Sequence, residues 1–206
     1  MREHPYGGGS LFGHSGSRKY LNATERRRFL ESAQRLVPPE RLFCQVLVWS
    51  GGRISEVLAL TPAAIDIDSG TVSIQTLKRR KSGIVRQLPL PDDVLRELAR
   101  VFKLRSRQRD PDSAVERIWR WSRTTAWRCV KAVMARARIV GMQAMPKGLR
   151  HGFGVSAVQA KVPLTLLQRW LGHASLNSTA VYLDVAGAEE RAIARRMWKR
   201  NRDHRN

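Results

Sequence analysis

RWLGHASLNSTAVYLDV, residues 169–185, sets the reading of this chain. Leu171-Gly172-His173 closes one apolar run, and Tyr182, one of three tyrosines, follows nine residues after the histidine. Leu176, Ala180, Val181 and Leu183 surround Tyr182 at helical spacing, so packing would be its ordinary fate. Pro163 suits a first turn and Gly172 a stop, which predicts one helix over 163–171 and a second over 176–184. Immediately upstream, KGLRHGFGVSAV begins a helix predicted over 147–160 and sets Lys147, Arg150 and His151 in its first turns.

Working toward the N-terminus, a basic helix from Ser122 to about Ile139 puts Trp127, Val130, Val133 and Met134 on one face. Residues 106–114 are polar and read as a loop, and Pro91-Asp-Asp opens a helix with acids in its first turn. Thr71-Val-Ser-Ile-Gln-Thr and Ile84-Val-Arg-Gln-Leu-Pro-Leu alternate with period two and read as paired strands, joined by the basic turn 77–83. Arg53 heads a short helix after the Gly51-Gly52 break, and the nearly all-apolar stretch 40–50 reads as a buried helix. Asn22 and Glu25 form a capping-box signature for a helix running to about Leu36, which Pro38 and Pro39 close. Residues 1–20, rich in Gly and Ser, read as a flexible arm ahead of one domain over 21–206. That domain ends in an amphipathic tail helix over about 188–199, with Ile193, Met197 and Trp198 toward one face. The expected class is mainly α with one small antiparallel sheet, an α+β domain.

Composition narrows the partner. Thirty-eight Lys and Arg against 17 acids give a formal net charge of +21, and 42% hydrophobic residues favour a folded chain. Such a charge calls for a polyanion, with nucleic acid foremost and an anionic membrane or an RNA-rich particle also compatible. No apolar run approaches the roughly 18 residues of a membrane span. Cys44 and Cys129 read as buried free thiols of a reducing compartment.

Four blocks, GGRISEVLAL, KRRKSGIVRQLPL, KGLRHGFG and RWLGHASLNSTAVY, occur in this order and resemble the catalytic domain of the tyrosine recombinases, the phage-integrase family. The likeness covers roughly residues 20–199, and its specificity lies in the order and in the histidine-to-tyrosine offset. It implies the catalytic-domain fold of that family and a DNA strand-transfer reaction through a 3′-phosphotyrosine, without metal, other cofactor or ATP. Arg53 and Arg150 match the two phosphate-binding arginines, His173 the histidine that donates to a phosphate oxygen, and Tyr182 the nucleophile. The family's general-acid lysine sits in the β-turn; Lys78 is preferred and Lys81 is the alternative, with Arg79, Arg80 and Lys81 read as DNA-backbone contacts.

One position departs from the pattern. Three residues before Arg150 the family usually has a histidine, where this chain has Lys147. A lysine supplies charge and a hydrogen bond, but acts as a base only if its pKa falls from about 10.4. Lys147 is therefore read mainly as a phosphate ligand, and His151 as structural.

The resemblance further implies a homo-oligomer, a tetramer on paired DNA sites, working in the bacterial cytoplasm at the nucleoid, often on a mobile element. About 20 residues precede Asn22, where most family members carry a core-binding domain; in this the chain looks like the short recombinases that invert fimbrial promoters, or like a truncated or excised domain. Two alternatives stand beside the active recombinase: a DNA-binding accessory protein of the same fold, and a type IB-like topoisomerase.

Overall fold

The computed structural model describes residues 10–13, 15–77, 84–184, 191, 192, 194–196 and 198. Helix α1 (Ala23–Ala33) starts on the expected capping box, with Asn22 Oδ1 accepting the Glu25 N–H at 2.8 Å and Glu25 Oε2 accepting the Asn22 N–H at 3.1 Å. Helix α2 (Pro38–Ser50) begins on the two prolines, which open it as well as closing the segment before. Proline's fixed φ and missing N–H cost nothing in a first turn. Because α2 is apolar on almost every side, it runs through the core with α1, α4 (Asp92–Val101) and α8 (Pro146–Gln159) packed on it. Gly51 stops α2 at φ 60°; a side chain there would meet the Phe153 ring at 2.5 Å. The turn delivers Arg53 to the head of α3 (Ile54–Leu58).

The sheet has the order β1-β2-β3, all antiparallel: β1 (Ile65–Asp66), β2 (Thr71–Gln75) and β3 (Val85–Pro89). Its register pairs Val72 with Leu88 and Ile74 with Arg86, so the buried parity of β3 holds an arginine as well as a leucine. The turn carrying Lys78, Arg79, Arg80 and Lys81 lies outside the described residues.

Several expectations need correction. Residues 106–114 belong to two short helices, α5 (Leu104–Arg109) and α6 (Pro111–Val115), rather than to a loop. Asp110 caps α6, its carboxylate accepting the Ser113 N–H, and Gln108 anchors α5 by donating to the carbonyls of Pro62 and Ile65. In α7 (Arg123–Arg136), Val130, Val133 and Met134 are buried as expected, but Trp127 is 43% exposed. The stretch 176–184 divides into α10 (Asn177–Ala180) and a 3₁₀ turn, Val181–Leu183, after α9 (Leu164–Leu171).

The expected flexible arm is also partly packed. Residues 1–9 and 14 lie outside the described residues, but Leu11 and Tyr20 are buried and Phe12 bridges Arg18. They join Phe153, Val155, Leu167, Leu171, Val181 and Tyr182 in a small apolar cluster beside the main core. The described residues of the expected tail helix, 191, 192, 194–196 and 198, are helical, while Ile193 and Met197 lie outside the description. Cys44 and Cys129 are free thiols with their sulfurs 4.0 Å apart. Among the described residues no helix is long and apolar enough to cross a membrane.

Candidate active site

The residues after one helix and before the next supply the first groups of the cleft. Arg53, at the head of α3, donates from Nη1 to Glu56 Oε1 at 2.7 Å, while its backbone N–H reaches Glu56 Oε2 at 2.9 Å. Glu56 is buried and also receives Arg86 from β3. Burial alone would raise the Glu56 pKa, but Arg86 and Arg53 outweigh it and hold the carboxyl below its ordinary value. Arg86, in turn, is tied to the Trp170 carbonyl and the Thr76 hydroxyl. Arg53 thus pairs with Glu56 and lines the cleft at the same time.

Arg150 projects from α8 into the protein and is only 7% exposed. Its Nη1 donates to the Gly51 carbonyl at 2.7 Å and its Nη2 to the Leu171 carbonyl at 2.6 Å, so it caps the ends of α2 and α9 together. Each such charge-assisted bond is worth about 1.5–3 kcal/mol. Desolvation, aided by Arg53, lowers the Arg150 pKa to about 10, so the group remains cationic at neutral pH. Lys147, one turn earlier on α8, is exposed on the cleft.

His173 follows the left-handed Gly172 at the end of α9, and its Nδ1 pairs with Thr179 Oγ1 at 2.9 Å. Burial, then the charges of Arg150 and Arg53, push its pKa down to about 3, which leaves a neutral ring. That ring is stacked on Tyr182, 9° from parallel with centroids 6.2 Å apart. Gly154 lies against the phenol ring, where an added Cβ would stand 2.5 Å from ring carbons. Tyr182 is 1% exposed, yet it helps line the cleft, and Arg150 and Arg53 act electrostatically on its phenol. Burial nevertheless outweighs their pull and keeps the phenol pKa above its ordinary value.

The cleft encloses about 700 Å³ and brings Arg53, Lys147, Arg150, His173 and Tyr182 onto one surface. The four turn cations expected to join them are outside the described residues. Sequence reasoning missed three participants. His151 Nδ1 lies 3.2 Å from the Tyr182 hydroxyl, Trp127 forms part of the wall instead of the core, and Arg86 anchors Glu56 from below. Only Arg86 left a signal, since it shares its strand parity with buried Leu88.

The phage integrase family model matches residues 19–189, which include all of these groups. The chain belongs to that family. Tyrosine recombinase XerA of Pyrococcus furiosus is 27% identical over 170 residues, covering 81% of this chain and 57% of that protein. The crystal structure of XerA recombinase superposes with a TM-score of 0.71 at 22% identity, over 89% of this chain and 65% of that one. XerH site-specific recombinase bound to difH substrate in a pre-cleavage complex gives 0.68 at 20% identity, over 91% and 59%. These likenesses establish the fold as that of a tyrosine recombinase catalytic domain, mostly helical with a small antiparallel sheet. The chain spans a little over half the length of the curated relatives it matches.

Proposed function

We propose that this chain is a site-specific DNA recombinase that cleaves and rejoins strands through a 3′-phosphotyrosine at Tyr182. The observation that carries the reading is convergence: a phenol, two guanidinium groups, an ammonium and a neutral imidazole line one cleft. Arg53 and Arg150 would neutralise the scissile phosphate, which gains charge as its phosphorus becomes five-coordinate. With the Thr179 hydroxyl donating to His173 Nδ1, Nε2 would carry the proton toward a non-bridging oxygen. Lys147 adds charge from the exposed rim. Lys78, or alternatively Lys81, would protonate the leaving 5′ oxygen, and Arg79, Arg80 and Lys81 would hold the backbone.

Attack by Tyr182 forms the oxygen–phosphorus bond as the bond to the 5′ oxygen breaks. The energy of that bond is kept, and a 5′ hydroxyl from a partner strand reverses the step to join a new pair. Two exchanges on two duplexes require four active sites, hence a tetramer on paired double-stranded sites. Such an enzyme works where the bacterial chromosome is, in the cytoplasm at the nucleoid. The domain doing so comprises residues 21–206, braced by the packed part of 10–20.

One observation favours a second reading, an accessory DNA binder of the same fold: the Tyr182 ring is buried with its phenol pKa raised. Nicked duplexes tiled from the DNA flanking the gene separate the two. A recombinase traps a covalent adduct that Tyr182→Phe abolishes while DNA binding persists; binding with no adduct in the native chain means the accessory role. Relaxation of plasmid lacking any target site would instead mark a topoisomerase.

A further inference from the structure

The family's usual histidine is replaced by Lys147, so the phenol proton has lost the acceptor expected at that position. A different side chain touches the phenol. His151 lies one turn beyond Lys147 on α8, with its Nδ1 3.2 Å from the Tyr182 hydroxyl and the two ring centroids 5.9 Å apart. His173 is not placed for this task, since it stacks on the face of the ring and commits its Nδ1 to Thr179. We propose that His151 is the general base that takes the proton from Tyr182, a role that rests on the recombinase reading above.

The step balances. The Nδ1 lone pair of His151 takes the phenolic proton as the tyrosine oxygen bonds to phosphorus. The bond to the 5′ oxygen breaks, and that oxygen takes its proton from the turn lysine. When the incoming 5′ hydroxyl attacks the phosphotyrosine, it gives its proton back to the turn lysine, and the imidazolium returns its proton to the departing phenolate. Nδ1 must start unprotonated, with the ring proton on Nε2.

The surroundings make this base conditional on substrate. His151 faces Lys147 and Arg150 from α8, Lys19 from the N-terminal segment, His173 after α9 and Tyr182 from the 3₁₀ turn. Desolvation, then the charges of Lys147, Arg150 and Lys19, lower its pKa to about 4 in the empty cleft. The ring is thus neutral and free to accept, but a weak base. A phosphodiester seated among those cations offsets their field and strengthens it. A phenol that ionises only beside a bound phosphate is protected from wasteful chemistry.

The test measures single-turnover adduct formation on a nicked duplex with the full chain, across pH 5 to 9. His151→Asn keeps a hydrogen-bonding group near the phenol but cannot take its proton. It should slow adduct formation by about 10²–10⁴-fold, the range of general-base catalysis, and remove the acid limb of the pH profile, with DNA affinity unchanged. Native-like rates in His151→Asn, or slower rates with an unaltered acid limb, overturn the proposal; the latter would leave His151 a positioning residue. Should the variant fail to fold, histidine ¹⁵N spectra of the native chain decide. A protonated Nδ1 on His151 at pH 7 overturns the role, and an unprotonated one supports it. A native chain that forms no Tyr182-dependent adduct overturns both this inference and the recombinase reading, whereas an adduct indifferent to His151 overturns the inference alone.

Discussion

At the scale of single residues, the two imidazoles of the cleft make the protein sensitive to acid. His151 and His173 hold protons more weakly when folded, with pKa values pushed down to about 4 and about 3, than when unfolded, where the ordinary value is about 6.5. Between those limits the unfolded chain binds more protons, so lowering the pH favours unfolding. Their contribution is complete above about pH 6.5 and is lost as pH falls through the folded values. Thermal melts should therefore show Tm falling from pH 7 to pH 5, a window above the carboxylate range, and His173→Asn should flatten that slope. Tyr182 and the two arginines were legible as a pattern because their spacing is local to a few blocks. The hydrogen bond between His151 and Tyr182 was not, because it joins residues 31 apart and depends on how α8 meets the 3₁₀ turn.

At the scale of elements, one carboxylate fastens the sheet to the arginine of the cleft. Glu56 of α3 is shared between Arg53 and the buried Arg86 of β3, the strand that leads out of the basic turn. Removing its charge with Glu56→Gln strands the Arg86 cation, at a cost of about 3–5 kcal/mol. Urea unfolding should show this loss. Replacing Glu56 and Arg86 together by Met should recover much of it, because an apolar pair of similar volume avoids the desolvation of two charges. The same double variant should still fail to form adduct, since Arg53 loses the group that fixes it. The long helices α1, α2, α7 and α8 were readable from caps and apolar periodicity. The short polar α5 and α6 were not, because side-chain anchors such as Gln108 and Asp110 hold them rather than a hydrophobic stripe. Two-residue β1 is too short for any alternation to register.

At the scale of the whole molecule, the charge of +21 sets the terms of the proposed DNA binding. Affinity built on phosphate contacts falls steeply with salt; about 6–10 contacts lose about 10³–10⁵-fold between about 50 and 200 mM. A salt titration of binding by the lone chain should show that dependence, with paired sites restoring occupancy through assembly; a flat curve would contradict the electrostatic account. The class of the fold was visible in composition and periodicity, whereas the packing of the segment around residues 11–20 against the turn carrying Tyr182 was not. Leu11 and Tyr20 are buried in the same apolar cluster as Val181 and Tyr182, and burying a side chain of this size contributes about 1.5–3 kcal/mol. A truncation that begins at Leu21, a natural choice for anyone counting helices, removes Leu11 and Tyr20 from the apolar cluster that holds the Tyr182 ring. On the recombinase reading, a preparation cut there would be inactive because the Tyr182 ring had been unhoused, with every group proposed to react still in the chain.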